Sequence, residues 1–116
     1  MFIGEVIALT VKELCDKNGY EALCMPEPDR KVTGGYAGDL LSWVMGRAKE
    51  GDAWVTIMSN VNIIAVASLA DPSCIILSEN VSPDDGVLER AEAQGVNLLK
   101  TKKDTFSVCA EIAVLL

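Results

Sequence analysis

The chain has 116 residues, of which 50% are hydrophobic and 23% charged, and it contains only four prolines. This composition is typical of one compact domain and excludes a disordered, collagen-like or low-complexity chain. Its 17 acidic and 10 basic residues give a formal net charge of −7. Because binding to a phosphate backbone requires a basic surface, we expect no nucleic-acid partner.

The side chains that the sequence lacks exclude several kinds of catalysis. It contains no histidine, and it therefore cannot form a Ser-His-Asp or Cys-His pair or a zinc site that uses imidazole. The cysteines have apolar neighbours and no paired metal-ligand spacing; they are Cys15, Cys24, Cys74 and Cys109. We therefore expect reduced, buried cysteines, no metal, no catalytic residue and no cofactor.

The sequence carries no sign of secretion or membrane insertion. Residues 1–5 contain no basic segment, and the longest uncharged stretch, residues 53–70, is interrupted by Ser59, Asn60 and Asn62. A signal peptide begins with basic residues, and a membrane-spanning helix needs about 20 predominantly apolar residues. We therefore predict a cytoplasmic protein with no membrane partner.

The first predicted elements are a helix and a strand. Thr10 and Glu13 have the spacing of a capping box, in which the hydroxyl accepts from the third helical N–H and the glutamate reaches back to the cap. We predict a helix from there to Gly19, a strand over residues 20–25 and a proline-containing loop over residues 26–30.

Two strands with nearly continuously apolar sequences follow in the middle of the chain, over residues 54–58 and 74–77. Such runs are typical of strands that helices cover on both faces. Before the first strand, Asp39 is a suitable N-cap for a helix that ends before Gly51. Between the two strands, residues 60–70 are predicted to form a helix that stops at Asp71-Pro72, since the residue before a proline resists the α conformation.

The next helix is predicted to begin at Ser82 and to end at Gly95. Serine is a favoured N-cap, and Pro83 suits the first helical position. Asp84 and Asp85 would then lie at the positive end of the helix dipole. The alternative role for these two carboxylates is metal binding or acid–base chemistry.

The chain ends with a predicted strand over residues 96–99 and a helix over residues 106–115 that Asp104 or Thr105 caps. The succession of helix, glycine and strand thus occurs three times, at Gly19, Gly51 and Gly95. This pattern predicts a single α/β domain over residues 1–116. Its sheet is expected to be mainly parallel, with helices on both faces, as in a three-layer sandwich.

The glycine-rich segment of residues 29–39 is a candidate binding site. Gly34, Gly35 and Gly38 permit positive φ angles or a close approach to the backbone, which a phosphate or nucleotide exploits. The segment has neither the Lys-Ser/Thr end of a P-loop nor the G-x-G-x-x-G spacing. The alternative is a strand that bends into a closely packed helix. We expect a Cβ at Gly34 or Gly35 to be obstructed.

Two groups of basic residues have both a binding and a structural interpretation. Arg30 can recognise a phosphate or carboxylate, or it can pair with Glu27, Asp29 or a neighbouring subunit. The second group can attract phosphate or form a solvated turn. It consists of Lys100, Lys102 and Lys103.

The carboxyl ends of the predicted parallel strands form a further candidate site, because α/β sheets bind ligands in the crevice outside those ends. Four loops are expected there, over residues 36–39, 59–62, 79–82 and 101–104. They supply no nucleophile with an adjacent base, and binding is therefore favoured over turnover. Together with the glycine-rich segment, they give the candidate ligand-binding residues Arg30, Thr33, Gly34, Gly35, Tyr36, Asp39, Ser59, Asn60 and Asn62.

These segments together resemble the DRTGG domain family, and the resemblance covers nearly the whole chain. It rests on Asp29-Arg30, Thr33-Gly34-Gly35, Asp39-Leu40-Leu41-Ser42, Gly51-Asp52 and Ser59-Asn60. It implies an α/β sandwich similar to the N-terminal, non-catalytic domain of HPr kinase/phosphatase. Kinase activity is not implied, because the chain has no G-x-x-x-x-G-K-[ST] P-loop.

The resemblance implies a non-catalytic regulatory domain that binds a small ligand, such as a nucleotide, or a partner protein. The alternative is a purely structural dimerisation module without a ligand. We also predict a homodimer, because the helices over residues 60–70 and 106–116 carry more apolar residues than one face of a helix needs. Two-fold symmetric pairs are the commonest such assemblies.

Overall fold

The computed structural model describes residues 8–116, and the expectation about residues 1–5 lies outside this range. Within it the chain forms five helices and five strands. The helices are α1 (Val11–Asn18), α2 (Leu41–Arg47), α3 (Asn62–Ala70), α4 (Val87–Gln94) and α5 (Thr105–Leu115). The strands are β1 (Glu21–Cys24), β2 (Gly34–Ala37), β3 (Asp52–Thr56), β4 (Cys74–Leu77) and β5 (Leu98–Lys100).

Helices α1 and α5 begin where local sequence signals place them. Thr10 Oγ1 accepts from the Glu13 N–H at 3.1 Å, and Glu13 Oε1 accepts from the Thr10 N–H at 2.9 Å. Asp104 caps α5 by accepting from the Ser107 N–H at 2.8 Å. These bonds satisfy N–H groups that have no partner inside the helix, and both predicted starts are confirmed.

The predicted helix ends at Gly19, Asp71 and Gly95 are also confirmed. The two glycines adopt the left-handed conformation after α1 and α4, and Asp71 does so after α3. The longest of the five helices that the structure describes is α5, which has 11 residues. Among residues 8–116, no helix combines the length and apolar character needed to cross a membrane.

The strands form one sheet in the order β1-β5-β4-β3-β2. β2, β3, β4 and β5 are parallel to one another, and the edge strand β1 is antiparallel to β5. The predicted mainly parallel sheet is therefore confirmed. Among the residues that the structure describes, β2 forms the opposite edge of the sheet.

Helices cover both faces of this sheet. α1 and α5 pack on one face against side chains that include Val55 and Ile76, and α2, α3 and α4 pack on the other against Trp54 and Ile75. All residues of β3 and β4 are buried, which explains why residues 53–55 and 74–77 are apolar. The molecule is a three-layer α/β sandwich.

The glycine-rich segment contains the strand β2, which pairs with β3 so that Gly34 lies opposite Asp52. A Cβ at Gly34 would stand 2.5 Å from Asp52 Oδ1, whereas a Cβ at Gly35 would make only ordinary contacts, the nearest at 3.6 Å to Ala53 O. The structure therefore shows a strand that leads into a helix. The expected obstruction is confirmed at Gly34 and wrong at Gly35.

The predicted N-cap at Asp39 is wrong. α2 begins at Leu41, and the residue before it, Leu40, makes no side-chain cap. The Asp39 carboxylate instead accepts from Thr56 Oγ1 at 2.8 Å and from the Ile57 N–H at 2.9 Å. Asp39 therefore ties the end of β3 to the connection that follows β2.

The predicted start of α4 at Ser82 is also wrong, since the helix begins at Val87. Ser82 Oγ accepts from Lys100 Nζ at 2.7 Å. The Asp84 N–H donates to Ser59 O at 2.9 Å. These contacts with neighbouring loops hold the segment outside the helix, and a local capping signal cannot reveal them.

Candidate functional site

Strand β2 divides the predicted ligand-binding residues into two groups. Its four residues separate the amino edge of the parallel sheet from the carboxyl edge by about 13 Å of extended chain. Arg30, Thr33 and Gly34 lie at the amino edge, and Gly35 and Tyr36 lie within the strand. At the carboxyl edge lie Asp39, Ser59, Asn60 and Asn62.

Arg30 is already paired at the amino edge. Its Nη1 lies 2.7 Å from Asp71 Oδ1, and its Nη2 donates to Asp71 O at 2.8 Å. Asp71 follows the last turn of α3, and the guanidinium therefore also faces the negative end of that helix. Arg30 thus has a structural partner, which is Asp71 rather than Glu27 or Asp29.

Thr33 and Gly34 hold β2 against β3. The Thr33 N–H donates to Gly51 O at 3.0 Å, and Thr33 Oγ1 donates to Glu50 O at 3.4 Å. Gly34 leaves space for the Asp52 carboxylate, which in turn accepts from a backbone N–H at 2.8 Å. The polar groups of Thr33 and Asp52 are therefore used within the fold.

The carboxyl edge brings four loops together, and hydrogen bonds join each adjacent pair. Such bonds connect backbone groups or a carboxylate of one loop to the next, which fixes the loops relative to one another. They run from the Ile57 N–H to Asp39 Oδ1 at 2.9 Å, from the Asp84 N–H to Ser59 O at 2.9 Å and from the Asn80 N–H to Thr101 O at 3.0 Å.

Asn60 shapes the loop before α3. Its Oδ1 accepts from the Asn62 N–H at 2.9 Å, which is a local turn that asparagine favours. Within residues 8–116, the side chains of Ser59 and Asn62 make no hydrogen bond of their own. The hydroxyl and amide groups are therefore available to a ligand at this edge.

The sequence placed the loop over residues 79–82 at the carboxyl edge, but no candidate ligand-binding residue was assigned to it. Glu79 and Asn80 have positive φ angles of 59° and 61°, a conformation that costs non-glycine residues about 1 kcal/mol or more. The Glu79 N–H donates to Lys103 O at 2.8 Å and so holds this loop against the next. The local signal in the sequence that could have indicated this loop conformation is Asn80, because asparagine tolerates positive φ angles better than most residues do.

A pocket of about 340 Å³ lies at the carboxyl end of β5, beside the start of β1. Its wall contains all three members of the basic group, Lys100, Lys102 and Lys103, and one carboxylate, that of Glu21; Asn80 and Thr101 complete the polar part of the wall. Lys100 Nζ donates to the neutral Ser82 hydroxyl. Among residues 8–116, neither Lys100 nor Lys102 forms a salt bridge. Glu21 lies opposite Lys100 in the sheet and adds one carboxylate to the same pocket.

Lys103 differs from its two neighbours because it is held in a cluster with Glu111 and Tyr20. Lys103 Nζ lies 2.7 Å from Glu111 Oε2, and Tyr20 Oη donates to Glu111 Oε1 at 2.7 Å. Burial opposes the charge on Glu111, but the bonds from Lys103 and Tyr20 outweigh it and lower the pKa of that carboxyl. Lys103 therefore stabilises the fold through its contact with Glu111.

The thiols are poorly suited to catalysis. All four cysteines are free, and only Cys109 is not fully buried. Burial raises the pKa of each thiol, to about 12 for Cys24 and Cys74, which disfavours the nucleophilic thiolate. Within the described part of the chain, no group of three or more His, Cys, Asp or Glu side chains is placed to hold a metal ion.

Comparison with solved structures gives the fold independent support. The chain is similar to the crystal structure of the CBS and DRTGG domains of the regulatory region of Clostridium perfringens pyrophosphatase, complexed with the activator diadenosine tetraphosphate. The TM-score is 0.70 at 19% sequence identity, over 97% of this chain and 50% of that one. The chain thus spans about half the length of the matched structure. No curated protein matches the chain significantly.

A family model for the DRTGG domain matches residues 37–115. The match runs from the end of β2 through α5 and leaves out the segments Asp29-Arg30 and Thr33-Gly34-Gly35, which contributed to the resemblance seen in the sequence. It nevertheless covers well over half of the chain and agrees with the structural likeness to a DRTGG-containing region. This chain belongs to the DRTGG domain family.

Proposed function

We propose that this chain is a non-catalytic regulatory domain that binds a phosphate-bearing small molecule, such as a nucleotide, at the carboxyl edge of its sheet. The observation that supports this most directly is the pocket at the end of β5, where three lysines and one carboxylate, that of Glu21, line the wall, and where Lys100 and Lys102 form no salt bridge within residues 8–116. Ammonium groups attract phosphate oxygens strongly. The carboxyl edge is also where α/β sheets bind ligands.

The remaining groups of this edge suit the uncharged parts of such a ligand. Asn80 and Thr101 border the pocket, and side-chain amides such as that of Asn80 can bond a base or a sugar. Ser59, Asn60 and Asn62 lie farther along the same edge. Arg30, Thr33 and Gly34 stay outside the proposed site, because their contacts are made within the fold.

Membership of the DRTGG domain family supports a regulatory function for this chain. The pyrophosphatase region that resembles this chain was crystallised with a nucleotide activator. The chain itself offers thiols with raised pKa values and no histidine. We therefore expect binding without turnover, and ATP incubated with the purified protein should stay intact.

Thermal unfolding in the presence of AMP, ATP, diadenosine tetraphosphate or inorganic phosphate tests the proposal. A ligand at 100 times its dissociation constant should raise the free energy of unfolding by about 2.7 kcal/mol. The double variant Lys100→Ala/Lys102→Ala should weaken binding by about tenfold or more, as expected when charge-assisted bonds are lost. Lys49→Ala removes an exposed lysine at the amino edge and is the matched control.

Two results would reject the site. If none of the four compounds stabilises the protein, the purely structural alternative replaces ligand binding. If Lys49→Ala weakens binding as much as the double variant does, general charge attraction rather than this pocket explains the effect.

A further inference from the structure

The antiparallel edge strand brings a carboxylate to the carboxyl edge of the sheet. Because β1 runs antiparallel to β5, its first residue lies beside the end of β5. That residue is Glu21, which is the register partner of Lys100. Both residues line the pocket at the end of β5. An acidic side chain therefore borders the pocket that we propose for a phosphate-bearing ligand.

Glu21 and Lys100 project from the same face of the sheet. Side chains alternate along a strand, and residues directly opposite each other in an antiparallel pair share a face. The neighbours of the two residues in the chain, Tyr20 and Leu99, both belong to the core on the side of α1 and α5. Glu21 and Lys100 therefore lie on the other side, and the contact of Lys100 Nζ with Ser82, which precedes α4, agrees with this.

The charges of Glu21 and Lys100 are not joined in an ion pair. Lys100 Nζ donates instead to the Ser82 hydroxyl at 2.7 Å, and neither residue forms a salt bridge within residues 8–116. A cross-strand ion pair would in any case stabilise the sheet by only about 0.2–1 kcal/mol. Glu21 is exposed, and its carboxylate can therefore meet a ligand in the pocket.

A carboxylate at this position restricts which anions suit the pocket. It repels the oxygens of a phosphate group, and it accepts hydrogen bonds but donates none. A ligand that fills the pocket must therefore present phosphate to the lysines and hydrogen-bond donors to Glu21. Compounds that consist only of phosphate lack a second, uncharged part of this kind.

The size of the pocket also limits the ligand. Its volume of about 340 Å³ lies near the lower end of the range of about 300–1,000 Å³ for small-molecule sites. This volume suits a phosphate and the sugar attached to it. The neighbouring hydroxyls of a ribose are donors that a carboxylate accepts, as an acidic residue does in dinucleotide-binding folds.

We infer that Glu21 selects a ribose phosphate at this pocket by accepting hydrogen bonds from the sugar hydroxyls, while Lys100 and Lys102 bind the phosphate. This inference rests on the proposed function, since it concerns the same pocket. A nucleotide and a free sugar phosphate share the chemistry that Glu21 recognises. Compounds without the hydroxyls, or without the sugar, are disfavoured.

Isothermal titration calorimetry with AMP, 2′,3′-dideoxy-AMP, ribose 5-phosphate and pyrophosphate tests this role. The wild type should bind AMP about tenfold or more tightly than 2′,3′-dideoxy-AMP, as expected for hydrogen bonds to a charged group. Glu21→Ala should bind the two nucleotides equally and ribose 5-phosphate more weakly than the wild type does. It should bind pyrophosphate more tightly, because a repulsive charge is lost.

Glu50→Ala is the matched control, since it removes an exposed carboxylate at the amino edge. It should keep the preference for AMP over 2′,3′-dideoxy-AMP. Circular dichroism checks that both variants are folded. Equal binding of ribose 5-phosphate and AMP by the wild type would identify a sugar phosphate as sufficient, and tighter binding of AMP would identify a nucleotide; both support the role of Glu21 if Glu21→Ala weakens them.

Three results would overturn the role of Glu21. They are a wild type that binds AMP and 2′,3′-dideoxy-AMP equally, a Glu21→Ala variant that keeps the preference, and a wild type that binds pyrophosphate more tightly than AMP. If Lys100→Ala/Lys102→Ala still weakens AMP binding in these cases, the proposed function stands and only the selectivity fails. If none of the compounds binds, both fail.

Discussion

Gly34 lies so close to Asp52 that a Cβ on Gly34 would stand 2.5 Å from Asp52 Oδ1. Asp52 is only 7% exposed, and its other oxygen accepts from the Lys49 N–H at 2.8 Å. Gly34→Ala therefore forces a buried, hydrogen-bonded carboxylate to move. We expect the free energy of unfolding, measured by urea denaturation, to fall by about 1–3 kcal/mol.

Gly46→Ala is the matched control for this substitution. A Cβ at Gly46 in α2 meets no atom within 4 Å, and alanine favours a helix over glycine by about 0.5–1 kcal/mol. The control should keep or raise the free energy of unfolding. Equal stability of the two variants would contradict the close contact between Gly34 and Asp52.

Asp39 is expected to stabilise the fold by joining two loops. Asp39→Ala removes the acceptor for Thr56 Oγ1 and for the Ile57 N–H, and Thr56 is buried. We expect a loss of about 1–3 kcal/mol in the free energy of unfolding. Asp39→Asn keeps an acceptor oxygen and should lose less. Wild-type stability of Asp39→Ala in thermal and urea unfolding would refute this role.

Helices α1 and α5 and the apolar strand β4 could be predicted from sequence because their signals are local. The Thr10–Glu13 capping box and the Asp104 cap each act within one turn of helix. The predicted N-caps at Asp39 and Ser82 are wrong because long-range contacts override the local signal. Both side chains bond groups that are distant in sequence, Thr56 and Lys100 respectively.

The candidate site could be predicted only in part. The convergence of four loops at the carboxyl edge follows from a parallel sheet, which the apolar strands indicate. The separation of Arg30 from Asp39 could not be predicted, because glycines do not favour a strand locally. β2 forms because it pairs with β3. The positive φ angles of Glu79 and Asn80 likewise depend on bonds to the next loop.

The cluster of Glu111, Lys103 and Tyr20 predicts a specific dependence of stability on pH. The pKa of Glu111 lies below its ordinary value of 4.5. The ionised Glu111 carboxylate therefore contributes its full stabilisation at pH values above 4.5. This stabilisation is lost as the pH falls through the lowered pKa. The free energy of unfolding should depend less on pH below 4.5 in Glu111→Gln than in the wild type.

Urea denaturation across a series of acidic pH values measures this dependence. Glu50→Gln, at an exposed position on the amino edge, controls for the loss of one carboxylate. An acid profile of Glu111→Gln that coincides with that of the wild type would show that the cluster does not couple folding to protonation.

The cysteines should behave as free thiols of unequal accessibility. Denatured protein without reductant is expected to show four reactive thiols, since all are unpaired in the structure. In native protein, Cys15, Cys24 and Cys74 should be protected by burial. A thiol titration that finds fewer than four groups after denaturation would reveal a disulfide and contradict this expectation.

Nuclear magnetic resonance of the backbone amides during titration with ATP tests most directly whether the carboxyl edge binds a phosphate-bearing ligand. We expect saturable shifts at Asn80 and at the amides of residues 100–103, with the amides of Arg30 and Thr33 unchanged. Shifts centred on Arg30 and Thr33, or none at any ATP concentration, would contradict it.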